Sequence, residues 1–579
     1  MDPKSSSIGT KQWVALVVAH ELAHQWFGNI VTMEWWTHLW LNEGFASWME
    51  YLATDAAFPE WQMWNQFVYS DMGRAFSLDS LKSSHPIEVP VSHPDEIDEI
   101  FDSISYSKGC SVIRMLYGYL GEEAFKKGLH QYLTKHSYAN AFTEDLWEAL
   151  EEASQKPVKQ MMDTWTKQMG FPTVTVTPVP GSNPPRVKLD QLRFLASGAP
   201  EGEDAAPLWY IPVSMISDKS PDPQSELLQE RSGEFEAPEG EWLKINAGQT
   251  GFFRVRYESE DHRNALEAAI RNGQLTNVID RLGVQSDAMA LASAGLAPTV
   301  DALKLITAYA NETDYTVWAD LTSNLKGLLD VLIQDDTCSG AIDRFGVQLY
   351  QKVGRQVGWD AQSGESPLVP QLRALVLRQL GRFGHPETVK ESQLRFKAFL
   401  SDPSGLPADL RGAVYANVLQ HGDEKAFEDI LATMRASDFQ EEKSRCMRSL
   451  GCTSTPSLLK RALELSLSSE IRPQDAVSLI RAVANNSKGR QLAWEFVQEN
   501  WEKLHGMYKG GFLLNSLVKE VLSVFACEQR ASEIEKFFEE RQFTSRALHQ
   551  ALETIRTNAK WMNKDAEAVT EFFQKYSKI

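Results

Sequence analysis

The sequence predicts a mainly α-helical, multidomain protein in which a small β-sandwich separates two helical regions. Apolar residues recur at helical spacing over residues 1–171 and again over 259–579. Between them, over 172–258, the period changes to short alternating or β-branched runs, broken by turn chemistry such as P-V-P-G-S-N-P-P. The chain length of 579 residues fits about three or four domains.

In the first region, helices are expected over 11–28, 43–57, 60–75, 106–120, 122–136, 143–154 and 157–168. Eight of the 17 tryptophans fall before residue 65, and their bulk reads as core. The second region offers strands at Thr173–Thr177, Arg186–Leu195, Leu208–Ile216, Trp242–Ala247 and Phe252–Tyr257, read as a small antiparallel sandwich. In the third, similar apolar helices begin near Lys425, Ser457 and Arg490, at starts 32 and 33 residues apart. That period suits stacked helix pairs of a superhelical, HEAT/armadillo-like repeat.

Lys and Arg total 58 against 78 Asp and Glu, a formal net charge of −20. A nucleic-acid binder usually carries a basic face, so none is expected as a partner. No stretch reaches 18 apolar residues, and the start M-D-P-K-S-S-S-I-G-T lacks the apolar run of a secretory signal. No membrane partner is expected, and the default compartment is cytoplasmic. The five cysteines, Cys110, Cys338, Cys446, Cys452 and Cys527, are sparse and odd in number, which reads as buried free thiols in a reducing compartment.

The chemistry lies near the start. The helical run Trp13–Asn29 contains H-E-x-x-H as His20, Glu21 and His24. Four residues turn an α-helix by about 400°, so the two histidines lie about 40° apart and one turn along. Both imidazoles can therefore reach one metal ion. Glu21 lies about 100° round from His20, near the metal without being a natural ligand, and can take a proton from water. The helix is apolar nearly all round, so it is expected to be buried.

A catalytic zinc needs a third protein ligand and one open position. The extended pattern H-E-x-x-H-x-x-G-x-x-H is excluded, because Phe27 and Ile30 stand at its glycine and third histidine. Glu34, Glu43 and Glu50 are the nearby carboxylates. Asn42 can cap a new helix that brings Glu43 back to the site. Glu50 shares a face with Glu43, and reads either as an acceptor for a ligand histidine N–H or as a solvated helix residue.

H-E-L-A-H-Q-W-F-G-N, with eighteen residues between His24 and Glu43 in W-L-N-E-G-F-A, resembles the gluzincin zinc aminopeptidases. The likeness continues through H-P-I-E-V-P-V (85–91), I-S-Y-S-K-G (104–109), T-W-T-K-Q-M-G-F-P (164–172), G-F-F-R-V-R-Y (251–257) and R-P-Q-D-A-V-S (472–478). It implies a thermolysin-like catalytic domain over 1–171, a β-sandwich over 172–258 and a superhelical domain over 259–579. It further implies one Zn2+ on His20, His24 and Glu43, Glu21 as general base, and Tyr106 as hydrogen-bond donor to the developing oxyanion. The substrates it implies are peptides with a free N-terminus. The family's amine-anchoring G-x-M-E-N segment has no counterpart here, so no anchor residue is assigned. The first strands and the large β-domain of the family are also missing, so the catalytic domain is expected to be N-terminally truncated: a fragment, short isoform or incomplete gene model. The alternative expectation is a catalytically impaired product that acts as a zinc-binding helical scaffold or regulator.

Overall fold

A computed structural model describes residues 5–333, 339–509 and 511–576 of the chain. The architecture is multidomain and mainly helical, with small sheets. It divides into two compact units, Trp13–Tyr309 and Ala310–Ile579 together with Met1–Gln12.

The first unit begins at Trp13, within α1 (Ile8–Ala23), and continues to α2 (Trp40–Ala57). α1 stops five residues short of the predicted end: Gly28, at φ +137°, belongs to a tight turn, and Asn29 and Ile30 donate back to His24 and Gln25. Between α1 and α2, β1 (Val31–Met33) pairs in parallel with β2 (Ala139–Ala141). The stretch predicted as one helix over 60–75 is α3 (Met63–Phe67) and α4 (Gly73–Asp79), joined by a π turn over Val68–Met72. A second π turn, Ile104–Lys108, leads into α5 (Gly109–Leu120). Then follow α6 (Glu122–Lys135), α7 (Thr143–Ser154) and α8 (Val158–Thr166).

The tryptophans divide. Trp40, Trp48 and Trp61 are core, whereas Trp13, Trp26 and Trp35 are exposed. The expected burial of α1 is likewise corrected. Val17, Val18 and Leu22 are exposed, because only the side of the helix bearing His20, Ala23 and His24 meets other residues of the site.

The β region holds β3 (Pro172–Pro178), β4 (Arg186–Arg193), β5 (Ile211–Ser217), β6 (Gln224–Leu228), β7 (Ser232–Glu236), β8 (Leu243–Ile245) and β9 (Arg254–Tyr257). They form sheets of order β7-β4-β3-β9 and β6-β5-β8. The larger sheet is mixed rather than antiparallel, since β9 runs parallel to β3 with Thr173 opposite Arg254. Strands β6 and β7 were not legible because Q-S-E-L-L and S-G-E-F-E are polar and mostly exposed. Helices α9 (Glu260–Arg271), α10 (Val278–Ser293) and α11 (Thr299–Thr307) complete this unit. α10 is tied to the sheet region where Asp280 accepts from Gly248 N and Asp287 pairs with Arg254.

The second unit is helical from α12 (Tyr315–Leu332) to α25 (Arg546–Tyr576). Six helices form a row in which each packs on the next, with one or two helices between them in the chain: Val369–Arg382, Ala408–His421, Gln440–Leu450, Pro473–Ala484, Phe512–Leu522 and α25. The predicted repeat helices are Glu424–Ala436, Pro456–Ser466 and Arg490–Glu499. The repeat also appears in hydrogen bonding. Asn486 donates its amide to the carbonyls of Gly451 and Thr453, and Asn558 does the same to Ser523 and Phe525. The start of the chain docks in this unit, where Glu441 and Asp409 accept from the backbone N–H groups of Ser7 and Ile8.

Cys110 and Cys446 are buried free thiols, but Cys452 is half-buried and Cys527 exposed; Cys338 lies outside the described residues. No helix among the described residues is long and apolar enough to cross a membrane.

Candidate metal centre

His20 on helix α1 and His24, one residue past its end, approach helix α2. The Nδ1 of His20 lies 2.7 Å from Glu50 Oε2, and the Nδ1 of His24 lies 3.0 Å from the carbonyl of Phe27. Each Nδ1 is thus engaged by an acceptor, which leaves both Nε2 atoms facing inward. Those Nε2 atoms sit 3.3 and 3.4 Å from the same oxygen of Glu43. The ligand atoms of His20, His24 and Glu43 all lie within 4.8 Å of one another. Glu43 stands in the first turn of α2, which starts at Trp40, so Asn42 is inside the helix and not its cap.

The electrostatics show how tightly this set is drawn together. Burial opposes charge on His20, yet its bonds to Glu43 and Glu50 raise its pKa to about 9. The bond to Glu43 also raises His24. Burial disfavours the Glu43 carboxylate, but the two imidazoles and the Tyr106 hydroxyl outweigh it and hold its pKa near about 2. At Glu50 burial prevails, and its pKa is pushed up to about 7 against the pull of His20. Protons shared between imidazole and carboxylate therefore occupy the place a cation would take, and metal binding must displace them. Two imidazole nitrogens and one carboxylate oxygen, each imidazole braced from behind, form a donor set that fits zinc with an open position.

Tyr106 lies in the π turn before α5. Its ring stacks parallel to that of His20, with centroids 6.0 Å apart, and its hydroxyl is near enough to Glu43 to help lower that carboxyl's pKa. Burial, then the charge and hydrogen bond of Glu43, raise its pKa further above the ordinary phenol value, so it remains a neutral donor. Glu21, next to His20 in the chain, is exposed. Glu34 is exposed at the end of β1 and does not join the cluster. Several acidic residues between Glu88 and Asp102 occupy unlike places. Glu88 is buried 4.0 Å from His38, Glu96 accepts from the backbone of Ser92 and His93, and Asp98 is exposed. Asp102 accepts from the N–H groups of Ile104 and Ser105 and takes a bond from His85 Nε2 at 2.9 Å.

Several positioning features escape sequence reasoning. Gly44 follows Glu43, and Gly109 closes the Tyr106 turn. A Cβ on Gly44 would lie 3.2 Å from Gly109 Cα, and one on Gly109 would lie 3.2 Å from Gly44 Cα. The two backbones touch, which brings Glu43 and Tyr106 together; the only signal was a glycine inside each helical pattern. Lys108, next along the turn, is fully buried, pairs with Asp79 at 2.7 Å and donates to Gly170 O.

The family profile described as "Peptidase family M1 domain" matches residues 1–165, and that described as "ERAP1-like C-terminal domain" matches 242–557. "Aminopeptidase M1" of Arabidopsis thaliana is 42% identical over 97% of this chain and 65% of its own length. "Puromycin-sensitive aminopeptidase" of Caenorhabditis elegans is 35% identical over 98% of this chain and 61% of its own. "Alanine/arginine aminopeptidase" of Saccharomyces cerevisiae is 34% identical over 100% of this chain and 67% of its own. The chain thus spans about two thirds of the length of these relatives.

Proposed function

Because this chain belongs to the M1 family of aminopeptidases, we propose that it holds one zinc ion on His20, His24 and Glu43 and hydrolyses the N-terminal peptide bond of peptides. The observation that carries this reading is the approach of both Nε2 atoms to one oxygen of Glu43, with each Nδ1 already committed elsewhere. Bound there, zinc supplies a Lewis acid that acidifies water and polarises a carbonyl.

The chain's own residues do the rest. Glu21, about 100° round the helix from His20, accepts the proton of the attacking water and passes it to the leaving amine. Tyr106 donates its hydroxyl to the substrate oxygen as that atom gains charge, in a bond made in the transition state. Glu50 fixes the tautomer and orientation of His20. The substrates are peptides with a free N-terminus, in keeping with the names of the relatives.

The test is metal analysis of the purified chain combined with hydrolysis of an aminoacyl-coumarin amide and its N-acetylated counterpart. One zinc per chain and cleavage of the free amine alone are expected. A chain that binds no zinc, or cleaves both substrates equally, overturns the reading.

A further inference from the structure

Asp71 is a buried carboxylate with no place in the chemistry just described, yet it joins the two elements that carry it. One of its oxygens, Oδ2, accepts from the hydroxyl of Tyr51, the residue after Glu50 on α2. The other, Oδ1, accepts from Ser107 Oγ at 3.0 Å, the residue after Tyr106, and from Arg74 at 2.7 Å. Asp71 is thus bonded to the immediate neighbours of two site residues, one on α2 and one in the turn before α5. Both segments it involves are π turns, Val68–Met72 and Ile104–Lys108. A π turn inserts one residue into a helix at a cost in backbone geometry, and it is uncommon outside sites that need it. Here one turn points Asp71 at Ser107, and the other sets Tyr106 facing Glu43 while Ser107 faces inward.

We infer that Asp71 is a positioning residue for Tyr106: through Tyr51 on one side and Ser107 on the other, it fixes the spacing between the metal-ligand helix and the tyrosine that donates to the oxyanion. This rests on the function proposed above. The Gly44–Gly109 contact lets α2 and the start of α5 approach but cannot fix the rotation of the turn between them. Lys108 with Asp79, and Asp102 with the N–H groups of Ile104 and Ser105, anchor the turn to other parts of the unit. Of these links, the one through Asp71 leads back to α2 by side-chain bonds. A group bonded only in the transition state is sensitive to such spacing, since a misplacement of about 1 Å can cost about 10²-fold in rate.

The experiment is a double-mutant cycle on the full zinc-loaded chain, pairing Asp71→Asn with Tyr106→Phe. Ser107→Ala serves as a second probe in case the Asp71 variant folds poorly. Zinc content, kcat and KM for an aminoacyl amide, and the affinity for a peptide phosphinate mimicking the tetrahedral intermediate are measured. Asp71→Asn and Ser107→Ala are expected to retain one zinc and the wild-type KM, while kcat and phosphinate affinity fall together by about tenfold or more. In the Tyr106→Phe background, either change should cost little further, because the group being positioned is gone. An undiminished loss in that background, or zinc lost together with activity, overturns the inference and leaves Asp71 as a fold-stabilising residue. A wild-type chain that fails to bind zinc or cleave the amide overturns the functional reading itself. That result is distinct from a competent wild type whose two variants are additive.

Discussion

Helices α1 and α2 each contribute side chains to the candidate metal centre, but they are held in different ways. α2 is a core helix: Trp40, Phe45, Trp48 and Tyr51 are all buried, and Phe45 stacks on Phe27 at 4.7 Å. Glu43 and Glu50 therefore stand on a frame fixed by apolar packing. α1 leaves Trp13, Val18 and Leu22 more than half exposed, and its imidazoles are set by polar links to Glu50, Glu43 and Phe27 O. Side chains on a packed helix inherit their positions from the core. Those on a bare helix depend on their own hydrogen bonds, and hence on protonation and metal. The comparison yields predictions of decreasing size.

The largest effect is expected from Glu21→Gln on α1. The variant keeps volume and polarity but cannot accept a proton, so kcat should fall by about 10²–10⁴-fold or more with zinc retained. Atomic absorption and steady-state kinetics check this. Next comes Phe45→Ala on α2, which removes a fully buried ring and should cost about 3–5 kcal/mol of folding stability in denaturant unfolding. Glu50→Gln follows. It loosens His20 without removing a ligand, and zinc affinity measured by competition with a chelator should drop about 10–100-fold. If Glu50→Gln leaves affinity unchanged, α1 is not positioned by its polar links and the contrast with α2 fails.

How much of this was legible in the sequence follows from the same contrast. The H-E-x-x-H spacing is local, and helix geometry alone brings His20 and His24 to one side; the structure adds Glu43 to them. The 3.6-residue period likewise marks residues 259–579 as helical and locates three of the helices there, because each must bury a stripe. What was missed depends on contacts distant in sequence. Asp71 and Ser107 are 36 residues apart, and nothing local distinguishes their bond. Gly44 and Gly109 matter only because two backbones meet. The burial of α1 was misjudged because apolar composition shows that a face seeks cover, not that this chain supplies it. Strands β6 and β7 were invisible because edge strands with polar side chains lack the alternation that marks a half-buried strand.

A pH titration sharpens the comparison further. In the metal-free chain the pKa of His20 is raised to about 9, so its pairing stabilises the fold fully below about pH 6.5 and is lost as pH rises through 9. Glu50, raised from 4.5 to about 7 by burial, acts in the same direction, but its loss runs between those two values and is complete early in this window. Glu43, lowered to about 2, contributes above about pH 4.5 and is constant over this window. The melting temperature of the metal-stripped chain should therefore fall between pH 6.5 and 9.5, while apparent zinc affinity rises as protons cease to compete. A metal-stripped chain whose stability rose over that range would show that the imidazoles are not paired as described.

The smallest effect is expected on the outer face of α1, and its smallness is the point. Leu22 is 58% exposed, one position past Glu21. Leu22→Ser loses little buried area and a helix propensity of only a few tenths of a kcal/mol, so folding stability should change by about 0.5 kcal/mol or less. Zinc content should be unchanged, because His20 and His24 lie on the other side of the helix. Set beside Phe45→Ala in the same denaturant titration, the two variants measure directly how differently the helices are held. A cost for Leu22→Ser approaching that of Phe45→Ala would mean that the outer face of α1 is covered in solution. The histidines would then also inherit their positions from packing, and the dependence of the centre on its polar links would be correspondingly weaker.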